Sequence, residues 1–329
     1  MRALRVALLL ALLASCAGPQ SALDPRGEHA EILARIFWWM SGGALAIWLL
    51  VLGIALRAVF RPAPAGSERE RTRGARQLIL YGGVVVPSVL LTVLLGYGLA
   101  LLPRMLAPAP KGSLQVLVEG RQWWWRVRYL PANGEPVELA NEIRLPLGEP
   151  VEFLLESHDV IHSFWIPSLG GKVDMIPGRQ TRLSLLPTAT GELRGVCAEF
   201  CGDSHAFMAF PVVIEEKADF ARWLDNERAA ALAPSTALEG AGRSVFLQSG
   251  CGACHSVRGT RADGVIGPDL THVGARLSLG AGLLPNQTVD FERWVSSTSR
   301  LKPGAHMPPF GMLPRAELSA LAAFLESLK

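Results

Sequence analysis

Two short segments in the second half of the chain concentrate cysteine, histidine and methionine. The first reads Cys197-Ala-Glu-Phe-Cys201-Gly-Asp-Ser-His205-Ala-Phe-Met208 and holds two thiols, an imidazole and a thioether. Soft sulfur ligands with imidazole select copper or zinc over magnesium or calcium, and a weak methionine ligand favours copper. Zinc sites usually take Cys and His ligands, and methionine, here Met208, is not among the usual zinc ligands. A Cys197–Cys201 disulfide is the other alternative, and it leaves His205 and Met208 unexplained.

The second segment is Cys251-Gly-Ala-Cys254-His255. This is the pattern of covalent haem c attachment, in which both thiols add to the haem vinyl groups and the histidine binds the iron. A thioredoxin-like redox pair is the alternative, but it requires a βαβ context and no following histidine. Met307, 52 residues after His255, is the predicted second axial ligand, and Met312 is the second candidate.

The fifth cysteine, Cys16, follows a short apolar run that begins after Arg2 and Arg5. Residues 1–15 are typical of a lipoprotein-type export signal, which would leave Cys16 as the lipid-bearing first residue of the mature chain. An ordinary export signal with an incidental Cys16 is the alternative. Either reading predicts that the metal-binding segments are exported.

Two long uncharged runs lie within residues 16–110. Ile36 to Leu56 has 21 residues and Leu78 to Leu102 has 25, so each is long enough to cross a membrane as a helix, over about residues 31–60 and 78–102. Six arginines between them place the connection in the cytoplasm by the positive-inside rule, so the chain on both sides of the hairpin faces outward. The net charge of +3, with no basic stripe, excludes nucleic acid as a partner.

Beyond the membrane segments the pattern changes twice. Residues 111–217 contain short alternating runs separated by turn residues, which predict an antiparallel β-sandwich or barrel. The predicted strands are Leu114 to Val118, Trp124 to Tyr129, Val151 to Leu155, Thr181 to Leu186 and Val212 to Glu215. Residues 218–238 predict a helix and a linker, and residues 239–329 predict helices with long loops.

Several motifs together resemble subunit II of the haem-copper cytochrome c oxidases, from about residue 29 to residue 217. The motifs are the cysteine cluster, His162-Ser-Phe-Trp, Gly170-Gly-Lys-Val-Asp-Met-Ile-Pro-Gly-Arg179 and Gln122-Trp-Trp-Trp125. Residues 239–329 resemble class I cytochromes c, with Met307 at the position of the iron ligand. The resemblance implies a two-helix membrane hairpin, an all-β cupredoxin-like Greek-key domain and an all-α cytochrome c domain.

For the metal centre, the resemblance implies the dinuclear copper site called CuA. Cys197 and Cys201 would bridge the two ions, His162 and His205 would each bind one, and Met208 and the Glu199 carbonyl would be weak ligands. His158, the other nearby imidazole, is expected to stay outside the site.

Further roles come from the resemblance alone. The Glu199 carboxylate, with Asp174 nearby, would help to bind magnesium at the junction with subunit I, and electrons would enter through Trp123. The chain departs from the family in having Trp124 where tyrosine is usual, and Leu80 near the place of a proton-uptake glutamate.

The resemblance therefore predicts the subunit II of a caa3-type, proton-translocating cytochrome c oxidase in the bacterial plasma membrane. It would receive electrons from cytochrome c or a cytochrome c reductase complex, and pass them through haem c and CuA to subunit I. A nitric oxide reductase subunit is the close alternative. A copper carrier is an alternative of another class, which a closed two-thiolate cluster and a covalent haem argue against.

Overall fold

The computed structural model describes residues 17–61, 67–131 and 134–329. The predicted export signal and Cys16 lie outside the described residues. The chain divides into two compact units, one spanning residues 32–107 and the other containing residues 17–31 together with the chain from residue 108 onward.

The first unit consists of long apolar helices. Helix α1 spans Glu28–Phe60, and α2 (Glu68–Leu80) continues through a π-helical turn, Tyr81–Val85, into α3 (Val86–Met105). The most apolar stretch of each helical run is long enough to cross a membrane and is not buried by any described part of the protein. Since so much apolar surface is unfavourable in water, these helices require a lipid environment.

Ten strands form a sandwich of two five-stranded sheets. The strands are β1 (Leu114–Arg121), β2 (Trp124–Leu130), β3 (Val137–Ala140), β4 (Ile143–Pro146), β5 (Val151–Ser157), β6 (His162–Trp165), β7 (Val173–Met175), β8 (Thr181–Leu185), β9 (Gly191–Cys197) and β10 (Ala209–Glu215). One sheet has the order β3-β2-β1-β5-β8 and the other β4-β10-β9-β6-β7.

The sandwich agrees with the sequence in class and differs in detail. Strands β3, β4, β6, β7 and β9 were not predicted. The pairs β1–β5 and β4–β10 are parallel, whereas the sequence predicted antiparallel strands throughout. Four of the missed strands have only three or four residues, too few to show a clear alternation of apolar and polar side chains.

Aromatic side chains fill the space between the sheets. Trp125 and Phe164 contact Phe210, each with ring centroids 5.2 Å apart, and Phe153 lies 5.1 Å from Phe164. All four are fully buried. Aromatic pairs at this spacing add roughly 0.5–1.5 kcal/mol each beyond area burial. This cluster makes a rigid platform beneath β6, which begins at His162, and β9, which ends at Cys197.

The C-terminal part is mainly helical. Helix α4 (Lys217–Arg228) follows the sandwich, and α5 (Ala237–Gln248), α6 (Thr288–Leu301) and α7 (Arg315–Ser327) form the last domain. Two short ribbons join Ser256–Val257 to Ala262–Asp263 and Ser278–Leu279 to Leu284–Pro285. We call the part from Ala237 onward the haem domain, after its Cys-X-X-Cys-His segment.

Helices α5 and α7 of the haem domain cross very closely at Gly242. A Cβ atom at this position would lie 1.9 Å from the Ala320 carbonyl oxygen, whereas one at Gly240, two residues earlier in the same helix, would meet nothing within 4 Å. Phe246 and Phe324 pack together one turn further along, with centroids 5.7 Å apart. Glycine at 242 is therefore required by packing, and glycine at 240 is not.

These two glycines give a matched test of the helix crossing. We expect Gly242→Ala to lower the free energy of unfolding by about 1–3 kcal/mol, because the added methyl group meets backbone that cannot move aside. Gly240→Ala should raise it by up to about 1 kcal/mol through helix propensity. Denaturant unfolding of the full chain in detergent, followed by circular dichroism, measures both. Equal effects of the two substitutions would contradict this description of the crossing.

Candidate copper and haem centres

The two cysteines of the first cluster lie side by side, with Cys197 at the end of β9 and Cys201 on the loop between β9 and β10. Their Sγ atoms are 3.8 Å apart, whereas a disulfide requires about 2.05 Å. Metal–thiolate bonds are about 2.3 Å long, as for zinc, so sulfurs at this separation can both bind one metal ion. Both side chains are buried. The geometry suits a bridged metal site.

The remaining predicted copper ligands surround these two sulfurs. Nδ1 of His162 lies 3.8 Å from the Cys197 sulfur, and Nδ1 of His205 lies 3.5 Å from the Cys201 sulfur. The Met208 sulfur is 3.8 Å from Cys201, and the Glu199 carbonyl oxygen is 3.2 Å from Cys197. The structure therefore brings all six predicted ligands together, with every donor atom within 3.8 Å of a cysteine sulfur.

His162 is oriented by Asp159, a residue that the sequence analysis did not single out. Oδ1 of Asp159 lies 2.8 Å from Nε2 of His162, and the same carboxylate accepts from the Gln122 and Val160 amides at 2.7 Å. Burial raises the pKa of Asp159, but these hydrogen bonds outweigh it and lower the pKa overall. The carboxylate thus holds the proton on Nε2 and leaves Nδ1 free to face the sulfurs.

Space for the His162 ring comes from a glycine on the neighbouring sheet. A Cβ atom at Gly120 would lie 2.8 Å from the ring, so no other residue fits there without moving the ligand. The rival imidazole, His158, is exposed and faces Glu119 at 3.7 Å. Of these two histidines, His162 alone lies beside the cysteine sulfurs.

The two thiols differ in their readiness to ionise. Hydrogen bonding from Cys201, and then from His162 and backbone amides, lowers the pKa of Cys197 against the opposing effect of burial. The neighbouring Cys197 and burial raise the pKa of Cys201. One thiolate therefore forms easily and the second is disfavoured until a positive charge arrives. A metal ion supplies that charge, which is why such sites release protons on binding.

The two carboxylates predicted to be near magnesium are on the surface. Glu199 and Asp174 are half exposed, and Lys172 Nζ lies 3.4 Å from Glu199 Oε2 and 3.8 Å from Asp174 Oδ1. Lys172 also donates to the Ala198 carbonyl at 3.0 Å. The two acids are thus brought to one place, with a lysine ammonium between them. A magnesium ion would have to displace that ammonium, so this site stays a prediction.

Trp123 lies directly against the copper-ligand loop. Its Nε1 donates to the Cys201 carbonyl at 3.0 Å, and the side-chain Nε2 of Gln122 donates to the same oxygen at 2.7 Å. The indole is only 7% exposed, because Gly304 and His306 of the haem domain cover it. The neighbouring Trp124 takes a different role, with the guanidinium groups of Arg121 and Arg126 lying 5.6 and 5.3 Å from its ring centroid.

In the haem domain, His255 is prepared to bind iron through Nε2. Its Nδ1 lies 2.8 Å from the Pro268 carbonyl oxygen, and burial lowers its pKa, which keeps the ring neutral. A Cβ atom at Gly267 would lie 2.5 Å from the ring. Cys251 and Cys254 are free thiols. These features fit covalent haem attachment with His255 as an axial ligand.

The two candidate methionines are clearly distinguished by their surroundings. Met307 is partly buried and packs against the apolar core of the haem domain, as do Phe310 and Leu313. Met312 is 77% exposed. A thioether ligand must lie in the apolar interior beside the macrocycle, so the structure favours Met307.

Comparison with known proteins matches the copper domain and the haem domain to two families. Residues 130–217 match the family described as cytochrome c oxidase subunit II, periplasmic domain, and residues 240–329 match the cytochrome c family. The cytochrome c oxidase subunit 2 of Alkalihalophilus pseudofirmus is 32% identical over all of this chain and 97% of the relative. That of Bacillus sp. strain PS3 is 31% identical over 77% of this chain and 72% of the relative.

The chain belongs to the cytochrome c oxidase subunit 2 family. The predicted fold class is confirmed: two apolar helical runs, a cupredoxin-like sandwich and a helical cytochrome c domain. As an oxidase subunit of this family, it carries a domain of the CuA-binding type and a haem c domain. It associates with subunit I and other oxidase subunits, and it is a membrane protein.

Removing the Asp159 charge tests its role in orienting His162. We expect Asp159→Asn to weaken copper retention by roughly 10–100-fold, the usual effect of losing the partner of a ligand histidine. Copper content after dialysis of the full chain against graded chelator concentrations measures this. Asp174→Asn, an exposed carboxylate of the same domain, is the control. Equal retention in the two variants would show that Asp159 does not support the site.

A second test distinguishes the two methionines. A thioether opposite histidine raises the reduction potential of haem iron. Met307→Leu should therefore lower the midpoint potential of haem c, whereas Met312→Leu should leave it unchanged. Spectroelectrochemical titration of the full chain measures both. The reverse pattern would assign the iron ligand to Met312.

Proposed function

We propose that this chain is the subunit II of a caa3-type cytochrome c oxidase in the bacterial plasma membrane, with both soluble domains on the outer face. Family membership and the presence of both domains in one chain support this assignment. The observation that carries it is the direct contact between the loop that bears the copper ligands and the loop that bears Met307. That contact joins two predicted redox centres without an external protein between them.

The contact is made of hydrogen bonds from the copper-ligand loop to two segments of the haem domain. The Ser204 hydroxyl donates to the Pro303 carbonyl at 2.6 Å, and the Ala209 amide donates to the Ala281 carbonyl at 3.1 Å. Away from the loop, the Leu277 amide donates to Glu142 at 2.7 Å, and Arg126 donates to the Val265 carbonyl. The contact is polar and specific, as expected of a fixed domain arrangement.

The roles of the individual residues follow from these positions. His162, Cys197, Cys201, His205, Met208 and the Glu199 carbonyl would hold the dinuclear copper, and Cys251, Cys254, His255 and Met307 would hold the haem. When bound, these groups supply the one-electron chemistry. The protein holds their ligands in place, excludes water from the sulfurs and positions Trp123 between the two loops.

The burial of Trp123 bears on how the external donor interacts with this chain. Gly304 and His306 occupy the surface of the indole, with the His306 ring 6.3 Å from it. A soluble cytochrome cannot reach Trp123 while they remain there. We therefore infer that the donor, a cytochrome c or a cytochrome c reductase complex, interacts with the haem domain, and that Trp123 serves the internal step.

Two finer proposals complete this assignment. Magnesium would bind with the help of the Glu199 carboxylate, near Asp174, if subunit I displaced Lys172. Oxygen, and not nitric oxide, is the proposed final acceptor, because the relatives described above are cytochrome c oxidase subunits. Residues near the start of the second predicted span, such as Leu80, include no carboxylate for proton uptake, so this subunit is not proposed to provide one.

The complete oxidase purified from membranes tests the assignment. We expect two copper ions that share one unpaired electron in this chain, one covalently bound haem, and oxygen uptake with reduced donor. Metal analysis, electron paramagnetic resonance and an oxygen electrode measure these. Nitric oxide consumption without oxygen uptake would assign the chain to a reductase instead. A single localised copper would overturn the dinuclear site.

A further inference from the structure

Lys302 is a buried lysine at the contact between the copper domain and the haem domain. Only 3% of Lys302 is exposed to solvent. Nζ donates to the Phe207 carbonyl at 2.8 Å and to the Gly280 carbonyl at 2.7 Å. Within the described part of the chain, no carboxylate lies within ion-pair distance of this ammonium. Its partners are backbone carbonyls alone.

A lysine in this position is costly to bury. Removing a charged ammonium from water is strongly unfavourable unless hydrogen bonds or opposite charges compensate. Burial lowers the pKa of Lys302 to about 7, against a raising effect of Cys201. The side chain is therefore stable in this place only while both carbonyls are held within its reach.

The two carbonyls belong to different domains. Phe207 lies between the copper ligands His205 and Met208, in the short turn His205–Phe207. Gly280 lies in the ribbon turn of the haem domain, next to Ala281, which accepts from the Ala209 amide. Lys302 thus joins the centre of the copper-ligand loop to the haem domain, and the Ser204–Pro303 and Ala209–Ala281 bonds flank it.

Lys302 is also connected to the haem side by the chain itself. Met307 is five residues further on, and the residues between them pass over Trp123. Gly304 approaches the indole so closely that a Cβ atom would lie 2.5 Å from the ring. A shift of Lys302 would therefore move the segment that covers Trp123 and leads to the iron ligand.

We propose that Lys302 is a positioning residue for electron transfer within this chain: it holds the Met307 loop of the haem domain against the copper-ligand loop. The functional consequence of this inference, electron transfer from haem to copper within the chain, rests on the proposed function. Its structural part, the docking of the two domains, is independent of whether oxygen or another acceptor is used.

The test compares Lys302→Met with Lys217→Met in the full chain within the assembled oxidase. Methionine keeps the apolar body of lysine as far as Cε but lacks the ammonium group and donates no hydrogen bond. Lys217 is an exposed lysine of α4, paired with Glu149. We expect amides of residues 205–209 to exchange about tenfold faster in Lys302→Met, equivalent to about 1.4 kcal/mol of local stability. The haem-to-copper electron transfer after flash reduction should also slow.

The copper resonance and haem spectrum should remain unchanged in Lys302→Met, which separates loss of docking from loss of either centre. Lys217→Met should match the wild type in every measurement. Should Lys302→Met fail to accumulate, Lys302→Gln retains a shorter donor, and we expect an intermediate increase in exchange.

Two outcomes would overturn the proposal. One is wild-type exchange and transfer in Lys302→Met. The other is faster exchange confined to residues 278–283, which would limit Lys302 to a role inside the haem domain. Failure of the proposed function is distinguishable, because the wild-type protein itself would then show no transfer from haem to copper.

Discussion

The contact between the copper-ligand loop and the haem domain is the constraint on which the candidate site depends. Ser204, Phe207 and Ala209 all bond to the haem domain, and they alternate along the chain with the ligands His205 and Met208. The loop therefore cannot change its shape without disturbing the domain contact. A redox centre gains from this restraint, since fixed ligands reorganise little when the charge of the metal changes.

The opposite side of the copper-ligand loop is restrained by the sandwich. Strand β6 pairs with β9 so that Phe164 is opposite Cys197, which places His162 beside the first sulfur. Phe164 and Trp125 pack in the aromatic cluster beneath, and Asp159 fixes the ring from outside. The copper ligands are thus held on one side by the apolar core of the sandwich and on the other side by the haem domain. Precise sites depend on such supporting contacts as much as on the ligands.

How much of the candidate site could be predicted from the sequence depended on how far apart along the chain the residues that act together lie. The cysteine cluster and the haem segment were recognisable because their ligands are close together in the chain. His162 was identified through the family motif. Asp159 was missed although it lies three residues before His162, because an aspartate in a loop has many common uses. Lys302 was missed because its partner Phe207 is 95 residues away, and a lysine is usually exposed.

Because the copper domain and the haem domain belong to one chain, the contact surface at Trp123 does not have to attract a separate protein. Two separate proteins pay an entropic cost to associate, and long-range charge commonly accelerates their encounter. A tethered domain meets its partner at a high effective concentration and needs no such attraction. The haem domain fits this expectation, since residues 239–329 carry nine lysines and arginines against seven acidic residues. Its contact with the copper domain relies instead on directed hydrogen bonds to backbone carbonyls. Such bonds fix the relative orientation of the two domains and add little long-range attraction. A fixed orientation is what electron transfer between two fixed centres requires.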